Sequence, residues 1–163
     1  MSLIDKARVL RTLRKTPSTL AFLLSGVDQA RALSATDGPD GWNVVEIMCH
    51  LRDFERIFAE RIRLMVDQDN PRFVLVDHLE LVTRNHYAAQ SLETAFAEYR
   101  DARRALLAYL EALPDSSWTR TGVTGAGVPT HVAEQAAVAG LHDIDHTEQI
   151  GRTLGLFPSP NAL

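Results

Sequence analysis

The chain has 163 residues, 45% of them hydrophobic and 23% charged, the composition of one ordinary globular domain with enough apolar material for a core. A net charge of −4 and a pI near 5.8 argue against a nucleic-acid-binding protein, and no apolar run approaches the roughly 20 residues of a membrane span. A single cysteine, Cys49, excludes an internal disulfide, and charges run through Met1 to Lys15 where a signal peptide would be apolar, so a reducing, cytoplasmic setting is the expectation.

Taken in order, Ser2 to Arg14 suits a short helix, with Ser2 and Asp5 as a capping pair and Leu3, Ala7, Leu10 and Leu13 as its stripe. Thr16-Pro17 reads as a restart, with Thr16 at the N-cap and Pro17 at the first helical position. Leu20, Leu23, Leu24 and Val27 continue one face towards about Leu33. Asp37 to Gly41 is a loop. Asn43 then caps a long helix, and Glu46 three residues on completes a capping box. Ile47, His50, Leu51, Phe54, Ile57, Phe58, Arg61, Ile62 and Met65 form its inward stripe, which ends near Asp67 before Asp69-Asn70-Pro71.

Arg72 to Val76 is an extended connector, and Asp77 to Gln90 reads as a helix carrying Leu79, Val82 and His86. A stronger helix runs from Leu92 to Leu113, with Ser91 at its start and Pro114 at its stop. Its stripe is Leu92, Phe96, Tyr99, Arg103, Leu106, Leu110 and Leu113. Asp115 to Pro129 is a long loop holding Trp118, Gly122, Gly125 and Gly127, a length that in compact domains often serves function. Thr130 caps the last helix, which runs to Leu154 and is ended by Gly155 and Pro158. Residues 158–163 read as a mobile tail. Four long helical units with moderate connections predict one all-α domain over residues 1–163, a helix bundle.

The last helix carries His142-Asp143-Ile144-Asp145-His146. Residues four apart lie one turn apart on the same face, so two neutral imidazoles there make half of a site for zinc or a similar divalent metal. The pair needs a third ligand. His50 lies in the core-facing stripe of a capped helix and completes a three-His site if that helix packs beside the last one. Three neutral histidines with one open position are the arrangement of a catalytic zinc-type site, whose fourth place takes water or a sulfur ligand.

With these residues together, the sequence resembles the DinB-like superfamily, which includes metal-dependent thiol S-transferases and proteins described as metal-dependent hydrolases. The resemblance rests on Thr16-Pro17 with the leucines after it, on Trp42-Asn43-Val44-Val45-Glu46-Ile47-Met48-Cys49-His50-Leu51-Arg52-Asp53-Phe54-Glu55, and on Arg61-Ile62. Further on it rests on Pro114 with Trp118, the glycine-rich loop, and His142 to His146 followed by Gln149-Ile150. It covers roughly Leu10 to Gly155. It implies a four-helix bundle of up-down-down-up connectivity, a homodimer, and nickel or zinc held by His50, His142 and His146. Alanine and glycine are dense on the last helix, which also suits close helix approach.

Other candidates each have a plain structural alternative. Asp53, Asp143 and Asp145 are placed to orient the imidazoles or are solvated helix charges. Glu46 is a capping residue one turn from His50, with a general base as its other reading. Arg61 and Arg103, on otherwise apolar stripes, are either paired inside the bundle or aimed at an anionic group in a pocket. Tyr87 and Tyr99 line a pocket or fill the core. His78, His86 and His131 read as surface or cap-region histidines, and Cys49 as a buried, inert thiol.

A three-His metal with an open position supports two reactions. It binds and deprotonates a low-molecular-weight thiol (bacillithiol, mycothiol or glutathione) for S-transfer to an electrophile, or it lowers the pKa of water to about 7 for hydrolysis. The reading preferred from the sequence is the thiol S-transferase acting on a small molecule. The alternatives are a metal-dependent hydrolase and a non-catalytic metal-binding stress-response module.

Overall fold

The computed structural model describes residues 5–39 and 41–158, so the expectations for Ser2 and for the tail beyond Pro158 lie outside the described residues. Four long helices carry the fold: α1 (Lys6–Leu23), α3 (Val44–Asp67), α5 (Leu92–Ala112) and α6 (Val132–Thr153). Two short ones, α2 (Gln29–Leu33) and α4 (His78–Arg84), lie in the connections. A hairpin of β1 (Thr121–Val123) and β2 (Pro129–His131) precedes α6. Among the described residues no helix is long and apolar enough to cross a membrane.

The side-chain pairings fix the directions of the long helices. Thr12 meets Gly140 and Thr16 meets Asp143, so α1 and α6 run parallel. His50 meets His146 and Phe58 meets His142, so α3 runs against α6. Glu55 meets Arg103 and Arg63 meets Tyr109, so α3 and α5 run together. The result is an up-down-down-up four-helix bundle, with α1 and α3 on one diagonal and α5 and α6 on the other.

The core has two clusters. One is built on Leu13, Phe58, Ile62, Met65, Leu106, Leu110, Trp118 and Ala136, the other on Leu20, Ile47, Leu51, Tyr87, Tyr99 and Ile150. At their junction lies Arg103, only 1% exposed. Its Nε and Nη2 donate to both oxygens of Glu55 on α3 at 2.7 and 2.6 Å. Its Nη1 donates to Asp143 on α6 at 2.6 Å, and to the Thr16 hydroxyl and Leu13 carbonyl of α1 at 2.9 and 3.2 Å. Burial alone would lower its pKa, but the Glu55 bonds and the charges of Asp143 and Glu55 outweigh it and raise it above the ordinary value.

This network explains a departure from the sequence reading. The chain does not restart at Thr16-Pro17: α1 runs straight through, with Asp5 as its N-cap and Pro17 inside it. A proline there removes the bond to the carbonyl four residues earlier, which is that of Leu13. Arg103 donates to that carbonyl, and Thr16 turns its hydroxyl to Asp143 rather than capping a helix. α1 then ends at Leu23, and the turn through Gly26 (φ 76°) separates it from α2.

Three other boundaries differ. The helix expected to reach Gln90 stops at Arg84; His86 takes a left-handed backbone and Tyr87–Ala89 form a 3-10 turn. Asn85 and Tyr87 are drawn to the side chain of Asp53, and Gln90 to that of Arg52, so tertiary bonds replace helical ones. The loop 115–129 contains a 3-10 turn (Asp115–Thr119) and most of the hairpin. At Gly122 a Cβ would lie 2.9 Å from Met65 and Phe73, and Gly127 (φ 84°) makes the turn. Finally, His131 caps α6 through Nδ1, accepting from the Glu134 amide at 3.1 Å, while Thr130 lies in β2 and donates to the Glu134 carboxylate.

Removing Arg103 leaves two buried carboxylates without their cation. Arg103→Met is predicted to destabilise the fold by about 3–5 kcal/mol and to lower Tm by on the order of 10 °C. Urea melts would measure this, and a near-wild-type midpoint would rule out the network as the joint of the bundle.

Candidate metal centre

The start of α3 sets the level of the first histidine. The Asn43 side chain accepts from the Glu46 amide at 3.0 Å, and the Glu46 carboxylate accepts from the Asn43 amide at 2.9 Å. Two turns on, His50 is buried, 4% exposed, on the side that faces α6. There His142 and His146, half-buried and one turn apart, project towards it. Ring centroids are 4.9 Å apart for His50–His142, 4.6 Å for His50–His146 and 4.5 Å for His142–His146. One ligand nitrogen from each histidine lies within 4.8 Å of the other two. The Nε2 atoms of His50 and His142 are 2.9 Å apart.

Aromatic rings wall this cluster. Phe54, one turn after His50, lies 4.3 Å from its ring and stacks on His142 at 5.1 Å. Phe58 meets His142 edge-on at 5.6 Å. Trp42, just before the N-cap of α3, lies 4.9 Å from His50 and stacks on His146 at 6.4 Å. His78, the first residue of α4, is exposed and sits at 6.5 Å from His50 and 6.1 Å from Trp42.

The rings are held neutral. Burial lowers the pKa of His50 to about 2, helped by His146, His142 and His78. Burial lowers His142 to about 3, with His146 and Arg103 adding to it. Burial also lowers His146, against the opposing pull of Gln149, Asp145 and Asp143. The Nδ1 of His146 lies 2.7 Å from the amide oxygen of Gln149. With that oxygen as acceptor, Nδ1 carries the proton and Nε2 is bare, the tautomer a metal ligand needs. The Nδ1 of His50 is buried and has no partner among the described residues. Three neutral imidazoles converging in an aromatic pocket, with one nitrogen orphaned, fit a borderline divalent ion such as zinc or nickel.

The other candidates lie elsewhere. Glu46 is engaged in the capping box. Asp53 accepts from Arg52 at 2.8 Å, from the Tyr87 hydroxyl at 2.6 Å and from Asn85 at 2.9 Å, and makes no bond to His50. Burial would raise its carboxyl, but the Arg52 and Tyr87 bonds outweigh that and hold it below the ordinary range. Tyr87 is therefore an anchor for residues 85–90 rather than part of the cluster. Arg103 and Asp143 belong to the four-helix network, and Asp145 is exposed. Arg61 is half-buried over the Phe73 ring at 5.6 Å. Cys49 is buried, which raises its thiol to about 11.

The residues that complete the surroundings, Trp42, Phe54 and Gln149, were not singled out for this role by the sequence. Helical spacing carries the signal for two of them: Phe54 is one turn from His50, and Gln149 is one turn from His146. The hairpin within 115–129 packs against the C-terminal end of α3 and the connector that follows it. Its contacts are with Met65, Phe73 and the Leu75 backbone.

The cluster makes acid costly to the metal-free fold. Folded pKa values near 2 and 3 lie below the ordinary 6.5, so below about pH 6.5 the unfolded chain takes up protons that the folded one refuses. Stability is then lost as pH falls, by up to about 1.4 kcal/mol per pH unit for each imidazole. In EDTA, melts between pH 7 and pH 5 should fall more steeply for wild type than for the double variant His50→Leu/His142→Leu. Equal slopes would contradict the buried neutral state.

Solved structures share this architecture. YfiT from Bacillus subtilis, described as a probable metal-dependent hydrolase with an unusual four-helix bundle topology, superposes with a TM-score of 0.82 at 17% identity, over 96% of this chain and 91% of that one. A mycothiol-dependent maleylpyruvate isomerase superposes with a TM-score of 0.77 at 12% identity, over 91% of this chain and 61% of that one. A histidine-to-alanine mutant of that isomerase gives 0.76 at 13% identity. Among curated protein sequences none matches the chain. The sequence profile of the DinB superfamily matches residues 12–150, and the chain belongs to that superfamily.

Proposed function

We propose that His50, His142 and His146 hold a divalent metal, zinc or nickel, and that the protein is a metal-dependent enzyme which activates a low-molecular-weight thiol for S-transfer to a small electrophile. The observation that carries this reading is the convergence of three neutral imidazole nitrogens within 4.8 Å inside an aromatic enclosure. Bound there, a divalent ion supplies Lewis acidity, which makes a thiolate, or a hydroxide, available near neutral pH.

The chain's own residues do the rest. His50 is fixed by the capped start of α3, and His146 is fixed in tautomer and orientation by Gln149. Trp42, Phe54 and Phe58 keep water from the inner side of the cluster, which strengthens every electrostatic interaction within it. His78 borders the cluster on its exposed side, beside Trp42.

The choice of thiol over water rests on the placement of carboxylates. Glu46 is committed to the capping box and Asp53 to Arg52, Tyr87 and Asn85, so neither is free as a general base beside His50. A thiol, with a pKa of about 8.5, needs less assistance to ionise than water at about 15.7. The likeness to a mycothiol-dependent isomerase supports the same choice. The likeness to YfiT supports hydrolysis as the second reading, and a non-catalytic metal-binding module is the third. We also propose a homodimer, for which α6 offers the exposed Val138, Leu141 and Ile144 beside its small residues; a monomer mass by light scattering would refute it.

Elemental analysis by ICP-MS on untagged protein should find about one metal per chain in wild type and almost none in His142→Ala, and Gln149→Ala should weaken metal affinity about 10–100-fold. Metal-loaded wild type should conjugate at least one member of a thiol panel to monochlorobimane faster than the metal-free protein. Metal content unchanged by His142→Ala would sink the enzyme readings. Bound metal with no conjugation would leave hydrolysis as the better one.

A further inference from the structure

Arg61 stands apart from the other sheltered arginines. Arg52, Arg103, Arg120 and Arg152, each buried or half-buried, all donate to carboxylates or carbonyls. Arg61 is half-buried as well, yet among the described residues it has neither a hydrogen-bond acceptor nor a carboxylate within 4.0 Å. Its guanidinium lies over the Phe73 ring, and burial lowers its pKa against only the pull of the neighbouring Glu60. Its guanidinium nitrogens still reach water, so the cation is solvated in the free protein and open to an anion from outside the chain.

The cation lines a cleft. About 130 Å³ of space is bounded by Ile57, Arg61 and Leu64 of α3 on one side and by Arg72, Phe73 and Val76 of the extended connector on the other. Glu60 and Val74 stand at the same cleft, and Glu60 is exposed. The connector is pinned at one end, where the Phe73 amide donates to the Val123 carbonyl and the Val123 amide to the Pro71 carbonyl, both at 2.8 Å. The backbone of Leu75 packs where Gly125 leaves no room for a Cβ. The cleft walls are therefore held by the hairpin.

Both walls belong to segments that continue to the histidine cluster. Along α3, Ile57 is one turn from Phe54, whose ring meets His50. Along the connector, Val76 is two residues from His78, whose ring lies 6.5 Å from that of His50. Eleven residues of helix separate His50 from Arg61, about 16 Å along the axis, and at about 100° per residue both lie on the same face of α3.

We propose that this cleft is the subsite for the anionic end of the substrate, with Arg61 as the residue that recognises a carboxylate and Arg72 as its partner at the rim. The substrate class that fits is an extended small molecule whose carboxylate lies within about 16 Å of its reacting group. A thiol bearing carboxylates is the first candidate, and an anionic electrophile would present the same chemistry. The proposal rests on the reading of the three histidines as the reactive end.

The cleft is testable without turnover. In metal-free protein labelled with 15N-arginine, the Nε–H signal of Arg61 should move saturably on adding millimolar S-methylglutathione, whose sulfur is blocked. The same compound with its carboxylates esterified should leave the signal unmoved. Calorimetry should show S-methylglutathione binding weakened about tenfold or more in Arg61→Met, less so in Arg61→Lys, and by a smaller factor in Arg72→Met. Circular dichroism melts check that the variants are folded. With metal-loaded protein, separate titrations with glutathione and with fumarate, a carboxylate-bearing electrophile that has no thiol, tell the carboxylate of the thiol from that of the electrophile side. An Arg61 signal that responds to neither S-methylglutathione nor citrate overturns the cleft, as does wild-type affinity in Arg61→Met. Metal bound at the histidines with a silent Arg61 overturns the cleft alone. A responsive Arg61 in a chain that binds no metal supports the cleft and removes the reading of the histidines.

Discussion

One guanidinium touches all four long helices of this bundle. Arg103 leaves α5 and reaches Leu13 and Thr16 of α1, Glu55 of α3 and Asp143 of α6. A buried ionic network of this kind adds little net stability over a well-packed apolar one, because desolvation offsets the attraction. What it does enforce is register. A slide of any one helix by a turn would strand a charge in the core, whereas a purely aliphatic contact tolerates such slips at lower cost. Glu55 is five residues from His50 and Asp143 adjoins His142, so the helix levels that Arg103 fixes are the levels at which the imidazoles meet.

The histidine cluster makes the opposite trade. Its nitrogens are brought within 4.8 Å of one another and largely away from water, and burial with mutual repulsion keeps them unprotonated. Nothing among the described residues satisfies His50 Nδ1. The cluster is thus a local cost carried by the rest of the fold, as preorganised sites commonly are. The rigid parts next to it are those best specified by short-range chemistry: the capping box at Asn43 and Glu46, and the one-turn bond from His146 to Gln149.

That division also decides what could be read from the sequence. The bundle, the capping box, the inward stripe of α3 and the pairing of His142 with His146 depend on spacings of three and four, which the sequence displays. The features that escaped depend on partners far away in the chain. Pro17 looks like a helix start until Arg103, some ninety residues on, donates to the carbonyl it frees. Asp53 looks like an orienter for His50 until Asn85 and Tyr87 are found on its oxygens. The hairpin has three-residue strands with glycine and proline in them, too short for an alternating pattern to show. Trp42 lies outside any helix, so no periodicity marks it as a wall of the site.

Arg61 and Arg103 show the limit most clearly. Each is a lone arginine on an apolar helical stripe, and sequence spacing gives them one description. In the fold, Arg103 is surrounded by acceptors and Arg61 has a phenyl ring and an open cleft. The difference comes from what faces them. Arg103 points into the bundle, where Glu55 and Asp143 from two other helices close on it. Arg61 points outward under a connector that contributes Phe73, Val74 and Val76 but no acid. Among the residues that line the cleft the one carboxylate is that of Glu60, which is exposed. The connector instead brings a second arginine, Arg72, to the same cleft. On the proposed reading, two arginines beside the cleft and three neutral imidazoles nearer the start of α3 give the site a polarity. The imidazole end suits a thiolate once a metal is bound, and the arginine end suits a fixed anion, so an extended anionic ligand has one favourable direction in which to lie.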